Sequence, residues 1–84
     1  MKRPAVVVHW EDCSTHNEGW RESDMVKQWA DQYEGSMMIS VGILIAKTKR
    51  YLLITPLYNP VDDWAGLVVK IPAGCVKKIT RIKY

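Results

Sequence analysis

Four residues near the start of the chain carry groups common at metal and nucleophile sites: His9, Asp12, Cys13 and His16. Imidazole, thiolate and carboxylate together suit zinc. The set has no second paired knuckle, and His9 alternates with core-facing neighbours in an apolar run, so all four read as ordinary strand and loop residues. No metal and no cofactor are expected. Cys13 with His16 also lacks the positioned base and oxyanion donors that nucleophilic catalysis requires. No glycine-rich phosphate loop is present, and the carboxylates form no evident buried pair for acid–base work. The chain reads as non-enzymatic.

The basic residues offer a different chemistry. Lys47, Lys49 and Arg50 crowd one predicted hairpin tip, and Lys77, Lys78, Arg81 and Lys83 line the last predicted strand, with Lys70 before it. Such clusters attract phosphate, and neighbouring aromatics can stack on bases. Tyr51, Tyr58, Trp64 and Trp20 are the stacking candidates, and Trp20 and Trp64 sit beside polar loops where a core role explains an aromatic less easily. The expected ligand set is Trp20, Tyr58 and Trp64 for stacking, with Lys47, Lys49, Arg50, Lys77 and Arg81 meeting phosphate. The competing reading is a solvated, charged edge that blocks stray strand pairing.

Charge along the chain fits either reading. Residues 1–36 hold four basic and seven acidic side chains, a net −3, whereas residues 37–84 hold eight basic and two acidic, a net +6. A basic half suits an anionic small molecule, a single-stranded nucleic acid or an acidic protein face, and it also suits the complementary half of the same fold.

These side chains need a scaffold, and 84 residues supply one domain. A chain this size buries about 60–65% of its unfolded surface, enough to fold with a thin margin. Hydrophobic residues at 48% and charged residues at 25% exclude a disordered or collagen-like chain, and two cysteines exclude a disulfide scaffold. The longest apolar run, at 41–46, is far short of the about 20 residues of a membrane span. The first ten residues do not read as a signal peptide, so a cytoplasmic protein is expected.

Residues 5–10 read as a strand covered on both faces. Residues 11–19 gather turn-formers. Residues 23–35 read as the one helix, capped by Ser23 or Asp24, with Met25, Trp29 and Tyr33 at i, i+4, i+8 forming a stripe for the core and Gly35 placed for a left-handed end. Residues 37–46 read as a long strand, interrupted at Gly42 by a bend, bulge or close backbone approach. A polar turn at 47–50 leads to a return strand at 50–57, a loop at 58–63 and a strand at 65–71. Pro72, Ala73 and Gly74 make a tight connection. Val76, Ile79 and Ile82 are spaced by three, which predicts a 3₁₀ turn leading into a bent strand. The sum is a mainly β chain with one short helix, its small, strongly bent antiparallel sheet closing into a barrel.

Two resemblances are visible. The run Met38-Ile39-Ser40-Val41-Gly42-Ile43-Leu44-Ile45-Ala46, a turn, then Tyr51-Leu52-Leu53-Ile54 resembles the first Sm motif, and 68–82 resembles the second: strand, short turn, strand. This implies an Sm-like (Hfq-type) or SH3-like barrel. Trp10-Glu11-Asp12-Cys13-Ser14, Gly19-Trp20, Ile39-Ser40-Val41-Gly42 and Ile71-Pro72 are together similar to a group of small phage and prophage proteins. That likeness implies a viral protein acting in the host cytoplasm, with a role in host takeover or counter-defence. The expected activity is binding of a nucleotide-type signal molecule or a single-stranded nucleic acid by a homo-oligomer joined at strand edges. The alternative is a protein-interaction module, anchored by Trp20, that inhibits or adapts a host defence protein.

Overall fold

Alternation of apolar and polar residues sets which side of each strand is buried. The computed structural model describes residues 3–13, 19–32 and 35–83. Its elements in chain order are β1 (Ala5–Glu11), α1 (Ser23–Gln32), β2 (Met37–Lys47), β3 (Tyr51–Thr55), β4 (Tyr58–Asn59), β5 (Trp64–Ala65), β6 (Val69–Pro72), a 3₁₀ turn (Ala73–Cys75) and β7 (Val76–Ile82). Five strands form one antiparallel sheet in the order β6-β3-β2-β1-β7, and β4 pairs with β5 as a separate ribbon.

The two edge strands, β6 and β7, are consecutive in sequence. In a flat sheet four strand spacings of about 4.8 Å would hold them about 19 Å apart. A three-residue 3₁₀ turn advances only about 2 Å per residue. The sheet must therefore roll until its edges approach at the Ala73–Cys75 end. Its concave side holds the core: Val6 and Val8 of β1, Leu52 and Ile54 of β3 and Ile71 of β6, rimmed by Trp10, Leu44, Val69, Cys75, Val76 and Ile79. Register agrees, since Val8 faces Ile79, Leu44 faces Ile54 and Leu52 faces Ile71 across neighbouring strands.

The expected barrel closure is not found. Among the described residues β6 pairs only with β3 and β7 only with β1, which leaves an open seam between the two edges. The turn joins them at one end, and no ladder of hydrogen bonds zips the rest.

Two bulges break the alternation. In β2, Leu44 opposes Ile54 and Ala46 opposes Leu53, so Ile45 is the extra residue. In β7, Val76 opposes Trp10 and Lys78 opposes His9, so Lys77 is extra. The second bulge explains the spacing of three. Val76 and Ile79 both reach the core because Lys77 shifts the phase between them, and the expected 3₁₀ turn precedes the strand.

Gly42 provides a close backbone approach. A Cβ built there would lie 2.7 Å from the carbonyl oxygen of Thr55. Thr55 is fully buried, and its hydroxyl donates to the Leu57 carbonyl (2.9 Å) and accepts from the Leu57 N–H (3.1 Å). The chain then leaves the sheet at Pro56, so β3 covers only the second half of β2.

Three local expectations are revised. Residues 58–65 form a small hairpin, so the strand expected at 65–71 begins only at Val69. No residue of the helix is fully buried: Met25 is 54% exposed and Trp29 is half-buried. Tyr33 lies outside the described residues. Gly35 is not left-handed; its backbone lies against the Glu11 side chain instead. The radius of gyration is 16.7 Å and the extents are 55 × 21 × 20 Å, against about 12 Å expected for a compact chain of this length. The sheet is thus a small core from which other parts project. Among the described residues no helix is long and apolar enough to cross a membrane.

Candidate anion-binding groove

Where the rolled sheet opens beside the 3₁₀ turn, a groove of about 360 Å³ is lined by Lys47, Thr48, Tyr51, Leu52, Ala73, Val76, Lys77, Lys78 and Ile79. Its apolar part is the exposed end of the core, where Leu52, Val76 and Ile79 meet. Its charged part comes from strands that are not neighbours in the sheet. Lys47 ends β2, and Lys77 and Lys78 lie on β7.

The bulges shift two of these lysines, Lys47 and Lys77, whereas Lys78 opposes His9, keeps the convex phase of β7 and meets the groove only at its rim. Without the extra residue at Ile45, strict alternation from Leu44 would send Lys47 to the convex side. With it, Lys47 opposes Leu52, a core residue, and so belongs to the concave mouth. Lys77 is itself the bulged residue of β7. Bulges at barrel rims commonly re-aim side chains in this way.

Among the described residues no carboxylate lines the groove. Lys77 reaches Glu11 at 3.4 Å from outside it. Tyr51 also lines the groove, and its ring face lies 5.0 Å from the ammonium of Lys70, a cation–π distance, on the side of β3 and β6 opposite the core residues Leu52 and Ile71. The turn holding Tyr51 is fixed by Thr48, whose hydroxyl accepts from the N–H groups of Arg50 and Tyr51 at 3.1 Å each. Three lysines, a tyrosine at the rim and an apolar floor form a place where a phosphate-bearing group can be met.

Of the eight residues expected at the site, Lys47 and Lys77 are brought together here. Lys49 and Arg50 lie exposed on the adjoining turn, and Arg81 lies further along β7. Tyr58 is occupied elsewhere: its hydroxyl donates to Asp63, which also receives both Arg3 Nε (2.8 Å) and Nη2 (3.1 Å). Arg3 Nη1 donates to the Ile45 carbonyl (3.0 Å), so this cluster clamps the β4–β5 hairpin to the bulge of β2. Asp63 is held down at a pKa of about 2, first by the Arg3 hydrogen bonds and then by Tyr58, while Arg3 and Tyr58 are both raised by their bonds to Asp63. Trp20 is fully exposed and Trp64 is 75% exposed on β5; neither lines the groove. Tyr51 and Lys78 are the groove residues absent from the expected ligand set.

His9 lies on the convex side of β1, opposite in phase to Val6 and Val8, and His16 lies outside the described residues. Among the described residues no three metal-binding side chains converge. Comparisons with protein-family models, with curated proteins and with solved structures find no match. The fold and groove alone define the class: a small antiparallel β protein with a lysine-lined mouth.

Proposed function

We propose that this chain is a non-enzymatic binding protein whose lysine-lined groove holds a phosphate-bearing small molecule of the nucleotide type. The observation that carries the reading is the convergence of Lys47, Lys77 and Lys78 with Tyr51 in one groove, with no carboxylate among its described lining residues. A volume of about 360 Å³ falls in the range of small-molecule sites, which favours a nucleotide over a long single strand. Strand, 3₁₀ turn and strand over 69–82 support an Sm-like or SH3-like relationship with the barrel left open at one seam. The resemblance to small phage proteins supplies the setting, sequestration of a host defence signal in the cytoplasm.

The reading includes self-association, at β2 in preference to β7. Pairing two β7 edges would bring Lys77, Lys78 and Arg81 against their own copies. Residues 37–41 have no charged side chain, are paired on one side only, and expose Met37 (56%), Ile39 (65%) and Val41 (57%). An antiparallel two-fold pairing of this edge sets apolar against apolar.

The test is calorimetric titration with mononucleotides, cyclic nucleotides and short single strands at two salt concentrations, on the parent and on the Lys47→Ala, Lys78→Ala double variant. A nucleotide should bind, more weakly at high salt, and the double variant should lose about tenfold or more, since each bond to a charged group contributes about 1.5–3 kcal/mol. Binding of single strands alone would replace the small-molecule ligand with nucleic acid. A second reading, a protein-interaction module, is favoured by the full exposure of Trp20 and by the exposure of Met25 and Val26 on the helix. Absence of binding by any anion to the folded protein would favour that reading.

A further inference from the structure

We propose that Cys13 and Cys75 form a reactive thiol pair that small organic disulfides oxidise to an intramolecular disulfide. Both thiols are free, Cys13 exposed and Cys75 half-buried. Both line a single cleft of about 290 Å³, together with Glu11, Asp12, Gly74 and Lys77.

The register of the sheet makes this convergence a product of the fold. Trp10 opposes Val76 where β1 meets β7, so the chain leaving β1 runs beside the 3₁₀ turn that enters β7. Glu11 and Lys77, joined at 3.4 Å, tie the two segments together, and the Asp12 N–H donates to the Ser36 carbonyl at 2.9 Å, anchoring the residue before Cys13. Continuing the antiparallel register would make Cys13 and Cys75 a diagonal pair, for which Cα atoms lie about 7–8 Å apart. A disulfide needs about 4.4–6.8 Å, so closure requires a small backbone shift. Gly74, next to Cys75, has open space around it that gives the turn room to make the shift.

The exposure of Cys13 defines the reactant as a small disulfide that arrives from solvent, such as oxidised glutathione. The Cys13 thiolate attacks one sulfur of the reactant, whose S–S bond breaks and releases one small thiolate. The Cys75 thiolate then attacks the Cys13 sulfur of the mixed disulfide and expels the second. The protein loses two electrons and two protons, and the reactant gains them as two small thiols. The product ties the end of β1 to the turn that bridges the open seam.

The test treats the folded, fully reduced protein with oxidised glutathione at low protein concentration and reads intact mass and a peptide map. The expected result is loss of two hydrogen masses, a linked peptide pair containing Cys13 and Cys75, and a melting temperature above that of the reduced form. Cys13→Ser and Cys75→Ser proteins, checked for native circular dichroism, should each stop at one stable glutathione adduct. Two adducts on the parent without an internal link, only intermolecular dimers, or no reaction at all would overturn the proposal.

Discussion

The backbone of Gly42 lies directly against the backbone of Thr55, so close that a methyl group on Gly42 would sit 2.7 Å from the Thr55 oxygen and 2.9 Å from its carbonyl carbon. The obstacle is main chain, held by the Ile43–Thr55 pairing and by the hydroxyl bonds of Thr55 to Leu57. It cannot swing aside as a side chain would.

Gly42→Ala is therefore expected to destabilise the fold by about 1–3 kcal/mol, the cost of overpacking a well-filled site. Urea unfolding checks it: the midpoint should fall with the slope unchanged. Gly74→Ala, where a Cβ meets nothing, is the matched control and should stay within about 0.5 kcal/mol. Equal midpoints for the two variants would remove Gly42 from its close contact.

The Arg3–Asp63–Tyr58 clamp should appear in acid and in alkali. Asp63 has its pKa lowered to about 2 in the fold, so its ionised form favours folding. Its contribution is whole above the ordinary aspartate value of about 4 and disappears as pH falls toward 2. Tyr58 is raised because the neutral phenol donates to Asp63, so its contribution is whole below about pH 10 and is lost as pH climbs past its raised value. Asp63→Asn keeps a side chain tolerant of the left-handed backbone there (φ 56°) while removing the charge. Melting temperatures of parent and variant should converge as pH drops from about 4 to 2. A gap that stays constant over that interval would mean the clamp does not contribute through the carboxylate.

Much of the scaffold could be read from residue types. The β-branched runs marked β1, β2 and β3, Gly42 marked the close approach, and the spacing of Val76 and Ile79 marked the irregular entry to β7. The site was less legible because two single-residue bulges decide it. Nothing in the run Gly42-Ile43-Leu44-Ile45-Ala46-Lys47 shows which residue is skipped, yet skipping Ile45 turns Lys47 toward Leu52. Tyr58 looked free for stacking because the cluster that engages it is completed by Arg3, whose partner Asp63 lies 60 positions later in the chain. The helix misled for another reason. Its apolar stripe is real, but the sheet completes its own core without it.

Assembly at the open edge of β2 predicts a response to charge. Ile39 is 65% exposed on the convex face, so Ile39→Lys should leave the monomer's stability within about 0.5 kcal/mol. In a two-fold pairing centred there, it would set an ammonium group against its own copy. Light scattering should report a multiple of the 9.7 kDa chain for the parent and a shift toward one chain mass for the variant. A parent that runs as one chain mass at micromolar concentration would end the edge-pairing proposal, and an Ile39→Lys protein that keeps the parent's mass would move assembly to another face.

Binding by the groove separates the aromatics. Tyr51 lines the groove, whereas Trp20 and Trp64 do not. Tyr51→Leu keeps an apolar, strand-compatible side chain but removes the ring, and loss of a stacked base contributes about 1–3 kcal/mol. The expected fall in nucleotide affinity is thus about fivefold to more than a hundredfold, with the salt dependence left intact because the lysines remain. Trp20→Ala should leave both affinity and melting temperature near the parent's, since that ring is fully exposed and outside the groove. The reverse pattern, with Trp20→Ala weakening nucleotide binding and Tyr51→Leu sparing it, would place the ligand beside Trp20 and reduce the lysine-lined mouth to a solvated rim.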